Sequence, residues 1–379
     1  FAKGDDREVV SVALDSLTSD EYPAAFDQIA PGFYENMVNI SIEQAFNQTQ
    51  MLNQRIGSVR LGVAGFQVMG GISQPLLYDK DGKSVAEAKD ASPLVELPEA
   101  TNWNAWVLGN GQFSRTTNLS DLLNSRSDAG GFLVGADYRW NGNLVSGLYA
   151  GYEYSYSKYG GDSNMRGNGV NFGGYASYAV AEGYYADGVI GGGHTGYHTR
   201  RAVQFGTIDR TAQCDPNSSQ FSAAVNLGKD FRIGKFTLGP IMGAQYTCAN
   251  IAGFSETGAE SLDLSLDRQI ANSLRCTLGG RIACTMECNK KIMFIPEVRM
   301  FWQHEFLNNS RNIRANLDGG NGDSFDFETT NPYRNSVFAG AGITAQFGKI
   351  LSGSVFYNVN FGCQTYLGNM LSVEVNWTF

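Results

Sequence analysis

The sequence predicts an all-β fold, a twelve-stranded antiparallel transmembrane β-barrel with an N-terminal α-helical segment placed in its lumen. Three observations carry this expectation. The first is composition: only 17% of the 379 residues are charged, where a soluble domain has about 25%, while Gly reaches 46 and aromatics 12%. No stretch approaches the roughly 18 consecutive apolar residues that a membrane helix needs, so any crossing must use half-apolar strands. The second is a change of hydrophobic period from 3.6 to 2 near residue 103. The third is the way short and long connections alternate beyond that point. The net charge of −9, from 28 Lys+Arg and 37 Asp+Glu, sets nucleic acid aside as a partner.

Residues 1–60 read as helical. The chain begins with Phe1 and no charged, apolar leader follows, so we expect a processed segment with any signal peptide upstream. Val9, Val10, Val12, Ala13 and Leu17 share a helical face. Asp20-Glu21-Tyr22-Pro23 resembles a second helix start, and Pro31-Gly32 interrupts the pattern. From Phe33 to Arg60 there is no Pro and no Gly before Gly57, and the middle turns carry Gln44, Asn47, Gln48, Gln50, Asn53, Gln54 and Arg55. About 25 helical residues span roughly 37 Å, enough to cross a bilayer. So polar a helix can do so only inside a water-filled lumen. Residues 33–60 are therefore expected to be the lumen helix, and 61–102, with Gly70-Gly71, Pro93 and Pro98, a flexible linker.

Residues 103–379 read as the barrel. Phe132, Val134, Ala136, Tyr138 and Trp140 alternate with Asp137 and Arg139, and Leu371, Val373, Val375, Trp377 and Phe379 alternate with Ser372, Glu374, Asn376 and Thr378. Twelve such runs can be placed, with tight turns at 141–143, 181–183, 233–235, 288–291 and 348–350. Longer polar segments fall at 116–128, 159–167, 201–217, 254–270 and 308–333. Short periplasmic turns alternating with long outer loops are a membrane-barrel signature, and an even strand count returns both barrel ends to one side. Closure satisfies every backbone group, which hydrocarbon requires. Trp106, Tyr138, Trp140, Tyr184, Trp302 and Trp377 are expected in interfacial girdles. The inward set comprises Asp137, Arg139, Glu153, Asp187, Arg275, Arg281, Glu297 and Arg299, polar but of mixed sign.

These residues resemble the translocator domain of monomeric autotransporters, the type V secretion proteins of Gram-negative outer membranes. Gly253-Phe254-Ser255-Glu256-Thr257-Gly258-Ala259, with Leu262, Leu264 and Leu274-Arg275, is similar to that family's segment after the seventh strand. Pro296-Glu297-Val298-Arg299 through His304-Glu305-Phe306, Gly131 through Arg139, and Tyr184-Tyr185-Ala186-Asp187-Gly188 resemble three of its strands. Val12-Ala13-Leu14-Asp15 and Ala24 to Pro31 resemble the segment that joins passenger to barrel. The resemblance implies an outer-membrane translocator that delivers or anchors an upstream passenger. It implies Trp377 and Phe379 as a signal for the barrel assembly machinery, with periplasmic chaperones and the lipid bilayer as further partners. No enzymatic activity, cofactor or metal is expected of the barrel itself. A porin-like channel or surface adhesin with an N-terminal plug is the first alternative, and an outer-membrane hydrolase the second.

Other constellations carry less. Gly191 to Gly196 fits GxGxxG but lies in a strand and opens no helix. His194 and His198 share a face without a third ligand, and Asp318 to Asp323 is expected to be a solvated loop. No GxSxG is present and His numbers three. The six cysteines form no CxxC pair. Small free thiols are the expectation, with a Cys248–Cys276 disulfide across the seventh and eighth strands as the alternative.

Overall fold

The computed structural model describes residues 5–61, 102–117, 124–180, 182–289, 292–330, 334–348, 350–362 and 366–379. Residues 62–101 of the expected linker and Cys363 lie outside these residues. Twelve antiparallel strands form the wall: β1 (Trp103–Thr116), β2 (Ser125–Arg139), β3 (Leu144–Tyr159), β4 (Asn164–Ala179), β5 (Tyr184–Phe205), β6 (Asn217–Lys229), β7 (Phe236–Ile251), β8 (Gln269–Cys284), β9 (Ile292–Glu305), β10 (Asn335–Phe347), β11 (Leu351–Gly362) and β12 (Tyr366–Thr378). Each pairs with its neighbours in sequence, and β1 closes on β12 from Asn104↔Thr378 to Thr116↔Tyr366. No strand edge is left along the wall, which is what a bilayer demands of a sheet.

Alternation decides which face meets lipid. On β12, Leu371, Val373, Val375 and Trp377 are exposed, while Ser372, Glu374, Asn376 and Thr378 are buried. On β2 and β3, Phe132, Val134, Leu148, Tyr152 and Tyr154 face outward. Among the described residues no helix is long and apolar enough to span a membrane.

Three helices precede the wall: α1 (Asp6–Asp15), α2 (Tyr22–Ile29) and α3 (Glu35–Arg60), with a 3₁₀ turn at Pro31–Tyr34 before α3. The 26 residues of α3 run through the lumen from the loop end of the barrel to the turn end. Ser41 and Thr49 donate their hydroxyls to Met37 O and Ala45 O one turn back, so those polar side chains are satisfied within the helix. Glu35 in the first turn and Arg60 in the last suit the helix dipole.

Four expectations need correction. Residues 201–217 are not an open loop: β5 continues to Phe205 and folds back through Ile208–Cys214, because Val203, Phe205, Ile208 and Ala212 make an apolar face that α1 and α2 cover. Residues 160–163 make a tight turn, with Tyr159 N–H donating to Ser163 O and Gly161 at φ +65°, so the strict alternation of short and long connections fails there. The loops expected at 254–270 and 308–333 are also ordered. Phe254–Ser255, Ser265–Leu266, Asn312–Asn316 and Ser324–Glu328 form a four-stranded sheet over the loop end. Finally, Cys248 pairs with Asn272 and Cys276 with Ala244, so the two cysteines do not face each other. The hairpin is not centred where a symmetric loop would put it.

Cys214, Cys248, Cys276, Cys284 and Cys288 are free thiols. Mapping of a non-reduced digest should therefore return Cys248 and Cys276 unlinked, and a peptide joining them would overturn this register. Cys214 should resist maleimide in the folded protein, because burial pushes its thiol up to about 11 and the thiolate is the reacting form.

Candidate functional site

The lumen is the candidate site, and its chemistry is set by where α3 meets the wall. Near the turn end Arg55 is fully buried and bonds Asp137, Glu374 and Asn376, with its Nε donating to Tyr175 Oη at 3.2 Å. Its guanidinium lies 4.7 Å from the centroid of the Trp106 ring, whose Nε1 donates to Tyr175 at 2.9 Å. One turn further, Arg60 donates to both oxygens of Asp187 at 2.5 and 2.6 Å and stacks 3.6 Å over Tyr185. A buried charge is tolerable only when paired and hydrogen-bonded, and both arginines meet that condition.

Trp106 was expected in a girdle; it faces the lumen instead, with 1% of its surface exposed. It shares strand parity with the buried Asn104 and Leu108, and its partner across the ladder is Gly135. A Cβ on Gly135 would stand 2.4 Å from the Trp106 ring, so glycine there makes room for the indole.

The other charged residues singled out from the sequence stand as follows. Asp137, Arg139, Asp187, Arg281, Glu297 and Arg299 are buried on the inner face, and Glu153 and Arg275 are partly buried there. Arg275 donates to Glu43 of α3 at 2.7 Å, and Arg299 donates to Gln54 at 2.7 Å. Glu153 faces Gln44. Arg139 donates to Asn141 O at the adjoining turn. Arg281 turns to Asp230 at 2.9 Å and Glu297 at 3.5 Å. A Cβ on Gly57 would come within 2.6 Å of its Nη1, so the helix passes over this arginine on a bare backbone.

The loop end is held by a second set, absent from the inward set read from sequence. Glu256 accepts from Tyr34 Oη at 2.5 Å, from Arg201 Nε at 2.8 Å and from the Leu264 amide at 2.7 Å. Phe33, Met37, Val38 and Ile42 pack there against Tyr159, Tyr197, Leu264 and Ile313. Outside it, Arg210 pairs with Asp6 of α1 and holds its carboxyl well below the usual carboxylate range. Because the folded pKa is depressed, this contribution is full above about pH 4 and is lost as pH falls through the lowered value. Arg210→Met should return Asp6 to its ordinary range and make α1 protease-sensitive already at pH 7, with no added dependence on pH down to 4; digestion of the variant at pH 7 no faster than the parent's would count against the pair.

Between the two ends a cavity of about 700 Å³ remains beside α3, lined by polar groups such as Gln44, Asn47, Gln112, Ser127 and Asn360. Among the described residues no group of three or more His, Cys, Asp or Glu is placed to hold a metal. His194 and His198 project outward to Ser219 and Asp215.

A barrel wall closed on itself and threaded by a polar helix defines a class: the outer-membrane translocator. Comparison with known proteins gives the family. The autotransporter beta-domain model matches residues 105–358, and the chain belongs to that family, whose barrels reside in the Gram-negative outer membrane. It is similar to the probable autotransporter YpjA of Escherichia coli, 24% identical over 80% of this chain and 19% of that protein. It is also similar to the esterase EstA of Pseudomonas aeruginosa, 22% identical over 61% of this chain and 36% of that protein. The chain thus spans about a third or less of these curated relatives. In fold it resembles the translocator domain of NalP from Neisseria meningitidis (TM-score 0.61, 13% identity, 89% of this chain and 98% of that one). It also resembles the beta domain of Bordetella BrkA (TM-score 0.56, 19% identity, 74% and 100%).

Proposed function

We propose that this chain delivers an upstream passenger to the cell surface and then anchors it, with α3 left in the pore. The observation that carries the reading is the direction of α3. The helix enters at the loop end, where α1 and α2 pack on the outer hairpin, and leaves at the turn end, where Leu61 packs near Ala283, Met293 and Ile295. In this reading α1 therefore lies on the exterior side while β1 begins on the periplasmic rim. In this reading 1–60 joins passenger to barrel, 61–102 links helix to wall, and 103–379 is the translocator. The lumen charges hold the helix. Any enzymatic activity belongs to the passenger, and the likeness to an esterase makes a hydrolytic passenger the first to assay.

A tag placed before Phe1 and exported with a signal peptide should become accessible to protease on intact cells, while a tag after Phe379 stays protected. Protection of both tags would sink the proposal. The porin and adhesin readings predict no such export.

The assembly machinery and periplasmic chaperones are the proposed partners before insertion. Phe379 is 70% exposed beyond the end of β12, beside Trp377, and offers an aromatic terminus to a protein that pairs with a free strand edge. Deleting Phe379 should lower the yield of heat-modifiable barrel in the outer membrane severalfold. Equal yield would remove the residue from the signal.

A further inference from the structure

The outer wall carries a cationic row that translocation does not use. Strand register places Arg115 beside Arg126, Arg126 beside Lys158, Lys158 beside Asn164 and Asn164 beside Arg200, a line across β1 to β5. Arg166, opposite His198, stands one step nearer the bilayer. Arg115, Arg126, Lys158, Arg166 and Arg200 are all exposed. With neighbouring strands about 4.8 Å apart, the row extends roughly 19 Å around the barrel.

Its height is fixed by the residues below it. Phe113 and Tyr156 flank Asp128 in the next register row toward the turn end, and Tyr154, Phe132 and Phe172 continue the apolar wall beneath. The row therefore begins about 7 Å along the strands beyond the last aromatics, where an interfacial girdle gives way to headgroups. The Arg166 guanidinium lies 5.8 Å from the Tyr156 ring centroid, joining the two layers.

The row is also confined and largely unneutralised. Among the described residues, Arg115, Lys158, Arg166 and Arg200 form no ion pair within 4 Å; Arg126 reaches Asp128 at 3.8 Å, and His198 pairs with Asp215 at 2.7 Å. Asp162 sits in the turn above. Toward the loop end, the outward positions of β6 to β12 carry Asn217, Ser219, Asn250, Asn272, His304, Asn335, Phe361 and Leu367; the lone cation that reaches them, Arg268 just before β8, donates to Asn250 at 2.6 Å among the described residues. In a chain of net charge −9, five exposed cations on one sector need an anionic counterpart.

We propose that this sector binds a phosphate-bearing lipid headgroup of the outer leaflet, with the acyl chains lying on the aromatic wall beneath. Arg and Lys in an interfacial row attract anionic headgroups, and a row of five matches a headgroup with more than one phosphate better than a single-charge lipid. The inference requires that the barrel sit in the outer membrane but does not depend on what it exports.

The test uses the full chain reconstituted in phosphatidylcholine nanodiscs with a fluorescent bis-phosphorylated lipid A, its dephosphorylated form, or inorganic pyrophosphate as competitor. The intact protein should prefer the phosphorylated lipid at least tenfold, and the preference should fall as salt is raised. Arg126→Gln with Lys158→Gln and Arg200→Gln should abolish the preference while heat-modifiability persists. The control Asn250→Gln with Asn272→Gln, on the opposite sector, should leave it unchanged. Equal binding of both lipids, a salt-independent preference, or equal loss in the control would overturn the proposal. Competition by millimolar pyrophosphate as strong as by lipid would reassign the row to soluble phosphate and overturn the lipid reading.

Discussion

Arg55→Met should destabilise the barrel by about 3–5 kcal/mol, the cost of leaving a buried ion pair with one member missing. The effect is expected to be large because one guanidinium serves two carboxylates, Asp137 and Glu374, each with 1% or less of its side chain exposed. Without the cation, two like charges share a site from which water is excluded. The control is the triple change Arg55→Met, Asp137→Asn, Glu374→Gln, which removes the charges together and should recover most of the loss. Unfolding midpoints from heat-modifiable gel mobility decide the matter. A single variant as stable as the parent would mean that water enters the cluster and solvates it.

Deleting residues 5–60 should raise single-channel conductance severalfold. A helix about 10–12 Å across fills most of a small barrel, and what remains open here is a polar cavity of about 700 Å³ beside it. Arg55→Met alone should raise conductance far less, because Arg60 still binds Asp187 and Glu43 still binds Arg275. A deletion barrel that conducts no better than the parent would show that the lumen is closed by something other than α3.

The wall was legible in the sequence because lipid and lumen impose opposite demands on neighbouring residues. Leu371 to Phe379 displays this alternation without interruption, and so do the strands around Asp137 and Glu153. The outer extension was not legible. Residues 201–214 keep a strand period, but their apolar face is buried by α1 and α2 rather than by lipid, so polarity averaged over the segment reads as loop. The lumen anchors were half visible. Asp137 and Asp187 stand out as carboxylates of inward parity, and Glu374 has the same parity beside Ser372 and Asn376. Arg55 and Arg60 give no such sign, since a helix surrounded by wall is polar on every side and no stripe marks the contact. Trp106 was misplaced because an aromatic near a strand end suits either face; the glycine opposite it was the available clue.

The course of α3 also has a mechanical consequence. A pull on the chain from outside the cell acts along the helix axis, toward the loop end. The contacts of α1 and α2 with the outer hairpin lie first in the line of force and can peel away one after another. Arg55 and Arg60 sit near the far end of the helix, and their bonds, to β2 and β12 for the first and to β5 for the second, are loaded in parallel, as in a toggle bolt. The outer contacts should therefore act as a yielding shock absorber, while the deep arginines set the force at which the tether fails.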